Sequence, residues 1–314
     1  MNSKKTLSTI LKTVIITTSG LYLINKFLQV KATSKERLYS SNSNYYNWKF
    51  GNIYYTVHGS GSPILLIHDL TCESSSYEWK RVVNKLAKEH TVYTIDLIGC
   101  GHSDKPKITY TNYLYVQLIT DFIKNVIKRS THVIATGLSC SATVMACYIE
   151  PQQIQKLTLV NPCSLQELSK YPGKWNKLIK KLIEIPVIGS ALYNMKHSFL
   201  GTKQRFADLY YCDTRYIAKH DIEAYMEASH LNGYSAKFLM SSITSKFVNI
   251  NISRALKQLN HDIHIILGDA LPNCESIKNC YYELNNSIEI NTISNTKHLP
   301  QLENPEAFID SIYF

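Results

Sequence analysis

Val133-Ile134-Ala135-Thr136-Gly137-Leu138-Ser139-Cys140-Ser141-Ala142 reads as an apolar strand, a corner of small residues, and the first residues of a helix over 142–149. A serine on so tight a strand-to-helix turn stands clear of the sheet, and only small residues fit two positions to either side. Centred on Ser139, those positions hold Gly137 and Ser141. Ser139 is therefore the candidate nucleophile. The rest of the chain is read outward from this corner.

Alternating apolar strands and helices surround it. Strands are expected at 48–50 and 53–57, flanking a Gly51-Asn52 hairpin turn, then at 64–68, 91–95, 156–161, 262–267 and 287–293. Helices are expected at 77–90 and 110–128, with a last one from about Pro305. Such alternation implies a mostly parallel sheet covered on both faces, an α/β architecture. Between 163 and 259 no strand is evident. Helical periods recur at 174–185, 188–200, 203–211, 221–230 and 235–245. These form a helical cap over the carboxyl ends of the strands, where open α/β sheets bind ligands. The expected organisation is an N-terminal element over 1–32, a polar linker over 33–47, a core of 48–162 with 260–314, and a cap of 163–259.

Composition narrows the classes. With 45% hydrophobic and 18% charged residues, the 314-residue chain is globular. Its formal charge of +10 could attract nucleic acid, but the basic residues are scattered. The one cluster, Lys174, Lys177, Lys180 and Lys181, reads as a solvated face suited to anionic lipid. No nucleic-acid partner is expected. The eight cysteines show neither C-x-x-C spacing nor histidine pairing, so no zinc site is expected. At the N-terminus, Lys4 and Lys5 precede an apolar stretch, 7–27, interrupted by Lys12 and Asn25. Three readings fit it: a single membrane-spanning anchor, which is preferred here, a signal peptide ending at Ala32, and an interfacial helix. Lysines flank both sides, so the orientation stays open.

Four segments carry a resemblance. Leu65-Leu66-Ile67-His68-Asp69 looks like a strand and His-Gly turn. Asp96-Leu97-Ile98-Gly99-Cys100-Gly101-His102-Ser103-Asp104-Lys105-Pro106 is similar to a D-x-x-G-x-G-x-S-x-x-P loop. The corner at Ser139 is the third. Lys297-His298-Leu299-Pro300-Gln301-Leu302-Glu303-Asn304-Pro305-Glu306 is similar to a histidine-bearing segment. Over about residues 45–314 the chain resembles the α/β-hydrolase fold family. The resemblance implies a hydrolase with Ser139 as nucleophile and His298 as general base. It also implies an oxyanion hole of backbone N–H groups from Cys140 and from Asp69 or Leu70. Serine needs an adjacent base to lose its proton, and histidine can take it and return it.

Two departures stand out. At Gly268-Asp269-Ala270-Leu271 the family's acid position holds Leu271. Asp269 lies two residues early and Glu275 four late, while Asn161 fills another place where relatives carry the acid. Asp269 is the candidate acid. The second departure is Asp69, where a glycine usually follows the histidine. It argues against anionic substrates and is itself a candidate polar partner. The expected function is hydrolysis of a neutral, apolar ester, amide or thioester, without metal or organic cofactor, by a membrane-associated enzyme. The competing expectation is a catalytically degenerate member of the fold that binds a ligand or partner.

Overall fold

The computed structural model describes residues 2–312. Eight strands form one sheet in the order β1-β2-β4-β3-β5-β6-β7-β8. β1 (Ser43–Trp48), β2 (Gly51–His58) and β4 (His90–Ile95) pair antiparallel. β3 (Ser62–Ile67) pairs parallel with β4 and with β5 (Thr131–Thr136). β6 (Ile154–Val160), β7 (Asp262–Gly268) and β8 (Glu289–Ile293) continue the parallel run.

Every residue of β5 is buried, as a central parallel strand requires. Side chains alternate between two cores: Leu65, Ile67, Val133 and Ala135 face one, and Ile64, Leu66 and Ile134 face the other. From β3 the chain moves outward to β4 and then returns to β3's other side as β5. The switch point thus lies between β3 and β5, and a crevice opens beyond their carboxyl ends. Asp69 follows β3 there, and Gly137 follows β5.

Several local expectations change. Trp48 pairs with Gly51, so the hairpin turns at Lys49-Phe50 rather than Gly51-Asn52. Gly51 (φ +143°) opens β2 instead, where a side chain would press on Asp104, whose Oδ2 accepts the Asn52 N–H at 2.7 Å. The helix expected over 77–90 is two short turns, Ser76–Trp79 and Val83–Leu86. Its apolar face of Trp79, Val82, Val83 and Leu86 is nonetheless buried together. The expected linker is partly strand β1, and the rest is fastened to the cap. Arg37 N–H donates to Glu227 at 2.7 Å, and Lys35 and Arg37 both pair with Glu223. Helix Cys274–Leu284 is not among the expected elements, although Cys274, Ile277 and Tyr281 stand at i, i+3 and i+7 and are buried.

Between β6 and β7 the described elements are all helices, among them Lys174–Glu184, Ile188–Lys196, Phe199–Arg205, Lys219–His230 and Lys237–Thr244. The spanning-anchor expectation finds no support in the N-terminal helix Asn2–Thr33: no helix among the described residues is long and apolar enough to cross a membrane. Lys12, Lys26 and the many Thr and Ser residues dilute its apolar run. Asn25 is buried against the cap, donating to Val187 O at 3.3 Å and accepting from Asn194 Nδ2 at 2.8 Å. The side chains of Lys4, Lys5 and Leu7 lie outside the described residues.

Candidate active site

The turn after β5 places its residues differently from the sequence expectation. β5 ends at Thr136, and helix Ser139–Ile149 begins three residues later. The residue in the left-handed conformation is Gly137, at φ +61°. Small-x-centre-x-small spacing fits equally well as Ala135-Thr136-Gly137-Leu138-Ser139, with glycine at the centre. Ser139 is completely buried in the first turn of the helix. Its Oγ lies 2.7 Å from Thr136 O and 2.8 Å from His68 O, so its proton is held by backbone carbonyls. Among the described residues it makes no hydrogen bond to His298, so this geometry lends the expected Ser139 nucleophile no support.

A carboxylate fills the space above Gly137. Asp69 Oδ1 accepts the Leu138 N–H at 2.8 Å, and Asp69 Oδ2 lies 2.8 Å from His298 Nε2. A Cβ on Gly137 would collide with this carboxylate. Asp69 therefore stands where the side chain of an elbow residue would stand, reaching over from the β3 loop. The Leu138 N–H, which follows the turn residue, is the donor at this centre. Of the expected oxyanion donors, the Cys140 N–H bonds Gly137 O at 3.3 Å and the Asp69 N–H bonds Glu78 Oε2 at 3.0 Å. Leu70 remains a candidate donor.

The carboxylate bonded to His298 is that of Asp69, not of the expected acid Asp269. Asp269 is exposed, with its backbone N–H bonded to Ile293 O, and Glu275 is exposed on helix Cys274–Leu284. Leu271 lines the cavity. Asn161 has a positioning role: its Nδ2 donates to Lys297 O at 2.8 Å and His298 O at 3.0 Å, while its Oδ1 accepts the Gly268 N–H. This side chain ties the ends of β6 and β7 to the histidine loop. His68 is structural, bonded to Asp69 O and to the Leu97 N–H.

Electrostatics follow from burial and pairing. Burial alone would lower the His298 pKa, but the hydrogen bond and charge of Asp69 outweigh it and hold the group above its ordinary value. Glu78, fully buried beside Asp69, is pushed up to about 8 by burial and then by the Asp69 charge. Glu73 lies in the opposite regime. Burial opposes its charge, but hydrogen bonds from His197 and Arg205 hold it at about 2. Arg205 grips it with two nitrogens, and Tyr210 donates to its Oε1 at 2.7 Å. The Tyr210 ring stacks on His298, with centroids 5.8 Å apart.

Asp69, His298, Glu73, Arg205 and Tyr210 share a cavity of about 500 Å³, whose apolar wall includes Met240, Ile243 and Leu271. Glu73, Glu78 and Arg205 carry no local motif. Asp69 does carry a signal, as the residue standing where glycine is expected.

The occupancy of the slot is measurable. Gly137→Ala should lower stability by about 2–3 kcal/mol, from left-handed strain and displacement of Asp69. In chemical denaturation, adding Asp69→Ala should cost less than the sum of the single changes. Strict additivity would place the Asp69 carboxylate elsewhere.

Comparison with known proteins agrees with this architecture. Residues 62–210 match the family model described as alpha/beta hydrolase fold. An uncharacterised protein of Mycobacterium tuberculosis is 32% identical over 107 residues, 34% of this chain and 31% of that protein. A haloalkane dehalogenase of Agrobacterium fabrum is 43% identical over 63 residues, 20% of each chain. Among solved structures, the epoxide hydrolase CorEH superposes with a TM-score of 0.70 at 20% identity, covering 85% of this chain and 95% of its own. The chain thus spans a third or less of the length of these two curated relatives.

Proposed function

We propose that this chain, whose fold is that of the α/β hydrolases, hydrolyses a small, largely apolar molecule beneath its cap through a covalent intermediate on Asp69. The observation that carries the reading is the placement of one carboxylate. Asp69 offers Oδ2 to the cavity beside His298 Nε2, while Leu138 N–H holds Oδ1 and Gly137 adds no side chain.

A carboxylate can act as a covalent nucleophile. Asp69 Oδ2 attacks the carbon that bears the leaving group. The new C–O bond forms as the old bond breaks, and the leaving group departs with its electron pair. Esterification removes the charge that raised the His298 pKa. Burial then favours the neutral imidazole, which becomes a base. Water adds to the Asp69 carboxyl carbon while His298 takes its proton. The oxyanion forms on Oδ1, facing the Leu138 N–H. Collapse releases the alcohol, which takes the proton from His298, and leaves Asp69 as the carboxylic acid; passing that proton to His298 restores the starting pair, the imidazolium's original proton having left with X. The sum is R–X plus water giving R–OH and HX. The haloalkane dehalogenase relative makes halogenated alkanes the first substrate class to test.

A second reading rests on a different aspect of the same contact. Asp69 already satisfies both Leu138 N–H and His298 Nε2, as it would in a closed, non-catalytic binding site.

Halogenated alkanes, terminal epoxides and p-nitrophenyl esters should be screened, and the best substrate run through a single turnover in ¹⁸O-water. Label in the Asp69 carboxylate, found by peptide mass spectrometry, is expected. Label appearing first in the product would exclude the ester on Asp69. No turnover of any class by folded protein would favour the binding reading.

A further inference from the structure

A second surface, distinct from the reacting centre at Asp69 and independent of its chemistry, is built for a different partner. Helix Lys174–Glu184 is amphipathic in an inverted sense. Trp175, Leu178, Ile179 and Leu182 fall on one stripe of about 100°, and all four are exposed. The stripe continues onto the next two helices through Ile188, Leu192, Met195 and Leu200. Helix Ile188–Lys196 packs against both Lys174–Glu184 and the N-terminal helix. That helix adds Ile16, Leu23 and Phe27, again exposed. A run of apolar side chains across four neighbouring elements is more than the scattered exposure ordinary surfaces carry.

The charge beside it has one sign. Lys174 and Lys181 border the apolar stripe on one side and Lys177 lies beyond them, all three exposed and with no ion pair among the described residues, whereas the helix's lone acid, Glu184, is paired with Lys180. The first 33 residues contain five lysines and no acidic residue. Tryptophan and leucine on one face with lysines at its border is the composition of a helix lying in the interface of an anionic membrane. A protein partner would need a matching acidic rim around an apolar groove, and a second copy of this chain would bring like charges together.

We infer that helix Lys174–Glu184, with its neighbours Ile188–Lys196 and Asn2–Thr33, docks flat on an anionic lipid bilayer rather than crossing it. Lys196 and His197, which follow the exposed Met195, line the catalytic cavity. The docked face therefore borders that cavity, a short path for an apolar molecule leaving the bilayer.

The full-length chain should be tested by co-sedimentation with phosphatidylcholine vesicles, with and without phosphatidylglycerol. Binding is expected to require phosphatidylglycerol. The Lys174→Glu/Lys177→Glu/Lys181→Glu variant should bind about 100-fold more weakly, and Trp175→Ser/Leu182→Ser about tenfold or more. Both changes lie on exposed positions and should leave circular dichroism unchanged. Trp48 and Trp79 are buried while Trp175 is 78% exposed, so brominated lipid should quench the fluorescence of Trp175 selectively. Equal binding by both variants would overturn the inference and assign any binding to the N-terminal helix alone. A wild-type dimer in sedimentation velocity, dissolved by Trp175→Ser/Leu182→Ser without vesicle binding, would overturn it in favour of a contact between copies.

Discussion

Asp69→Asn should abolish turnover of whichever substrate the screen identifies, by about 10³–10⁴-fold, while Ser139→Ala leaves the rate within a few-fold of the parent. The asymmetry follows from what each side chain touches. The amide introduced by Asp69→Asn keeps the size of the carboxylate and an oxygen for Leu138 N–H, so the pocket should keep its shape. It loses the negative charge that attacks carbon and holds His298 above its ordinary pKa. Ser139 Oγ faces Thr136 O and His68 O inside the core, and its removal should appear as about 1–2 kcal/mol of stability. Steady-state rates paired with denaturation curves separate the two effects. Loss of activity in Ser139→Ala, with retention in Asp69→Asn, would return the nucleophile to the serine. The parent should also show an acidic limb in kcat, since the base that hydrolyses the ester must be neutral; with the Asp69 charge gone, burial sets that limb below the ordinary histidine value.

Glu73→Ala should be the most destabilising single change near the cavity, by about 3–5 kcal/mol. Glu73 is 1% exposed and accepts from Arg205, Tyr210 and His197. Without it the Arg205 guanidinium, part-buried in the cavity wall, has lost its counter-ion. The pH dependence has a definite sign. The folded pKa is depressed from 4.5 to about 2, so the contribution is complete above 4.5 and is lost as pH falls towards 2. The stability gap between parent and Glu73→Ala should therefore narrow across that window. A constant gap would mean that Glu73 acts through packing alone. Because Tyr210 spans Glu73 and the His298 ring, the same variant should also lower the rate.

Much of the architecture is legible along the chain. β3, β5, β6 and β7 are short, largely apolar runs between turn residues, and burial on both faces of a parallel sheet demands that pattern locally, whereas the edge strand β8 is mixed and mostly not buried. The loop bearing His298 and the loop from Asp96 to Pro106 announce themselves by residue type and spacing. The all-helical interval between β6 and β7 is legible as a long stretch of helical periods without strands. The hairpin turn and the helix over 77–90 are not legible in the same way. Gly51 serves the approach of Asp104, and the chain near Ser76 is pinned by Asp96, whose Oδ1 accepts the Ser76 N–H. Both causes lie far from the segment they shape.

The sequence by itself determined the architecture, the crevice at the ends of β3 and β5, and His298 as its histidine. All of these depend on hydrophobic period or on contiguous motifs. Only the tertiary structure decided which small residue stands at the centre of the turn. A two-residue choice between Gly137 and Ser139 leaves the spacing intact and is settled by where β5 ends. Only the tertiary structure, too, decided that the carboxylate facing His298 comes from Asp69, 229 residues earlier, rather than from Asp269 nearby in the chain. Proximity in a parallel sheet is set by strand order, and strand order lies in long-range pairing that no local stretch of the chain encodes.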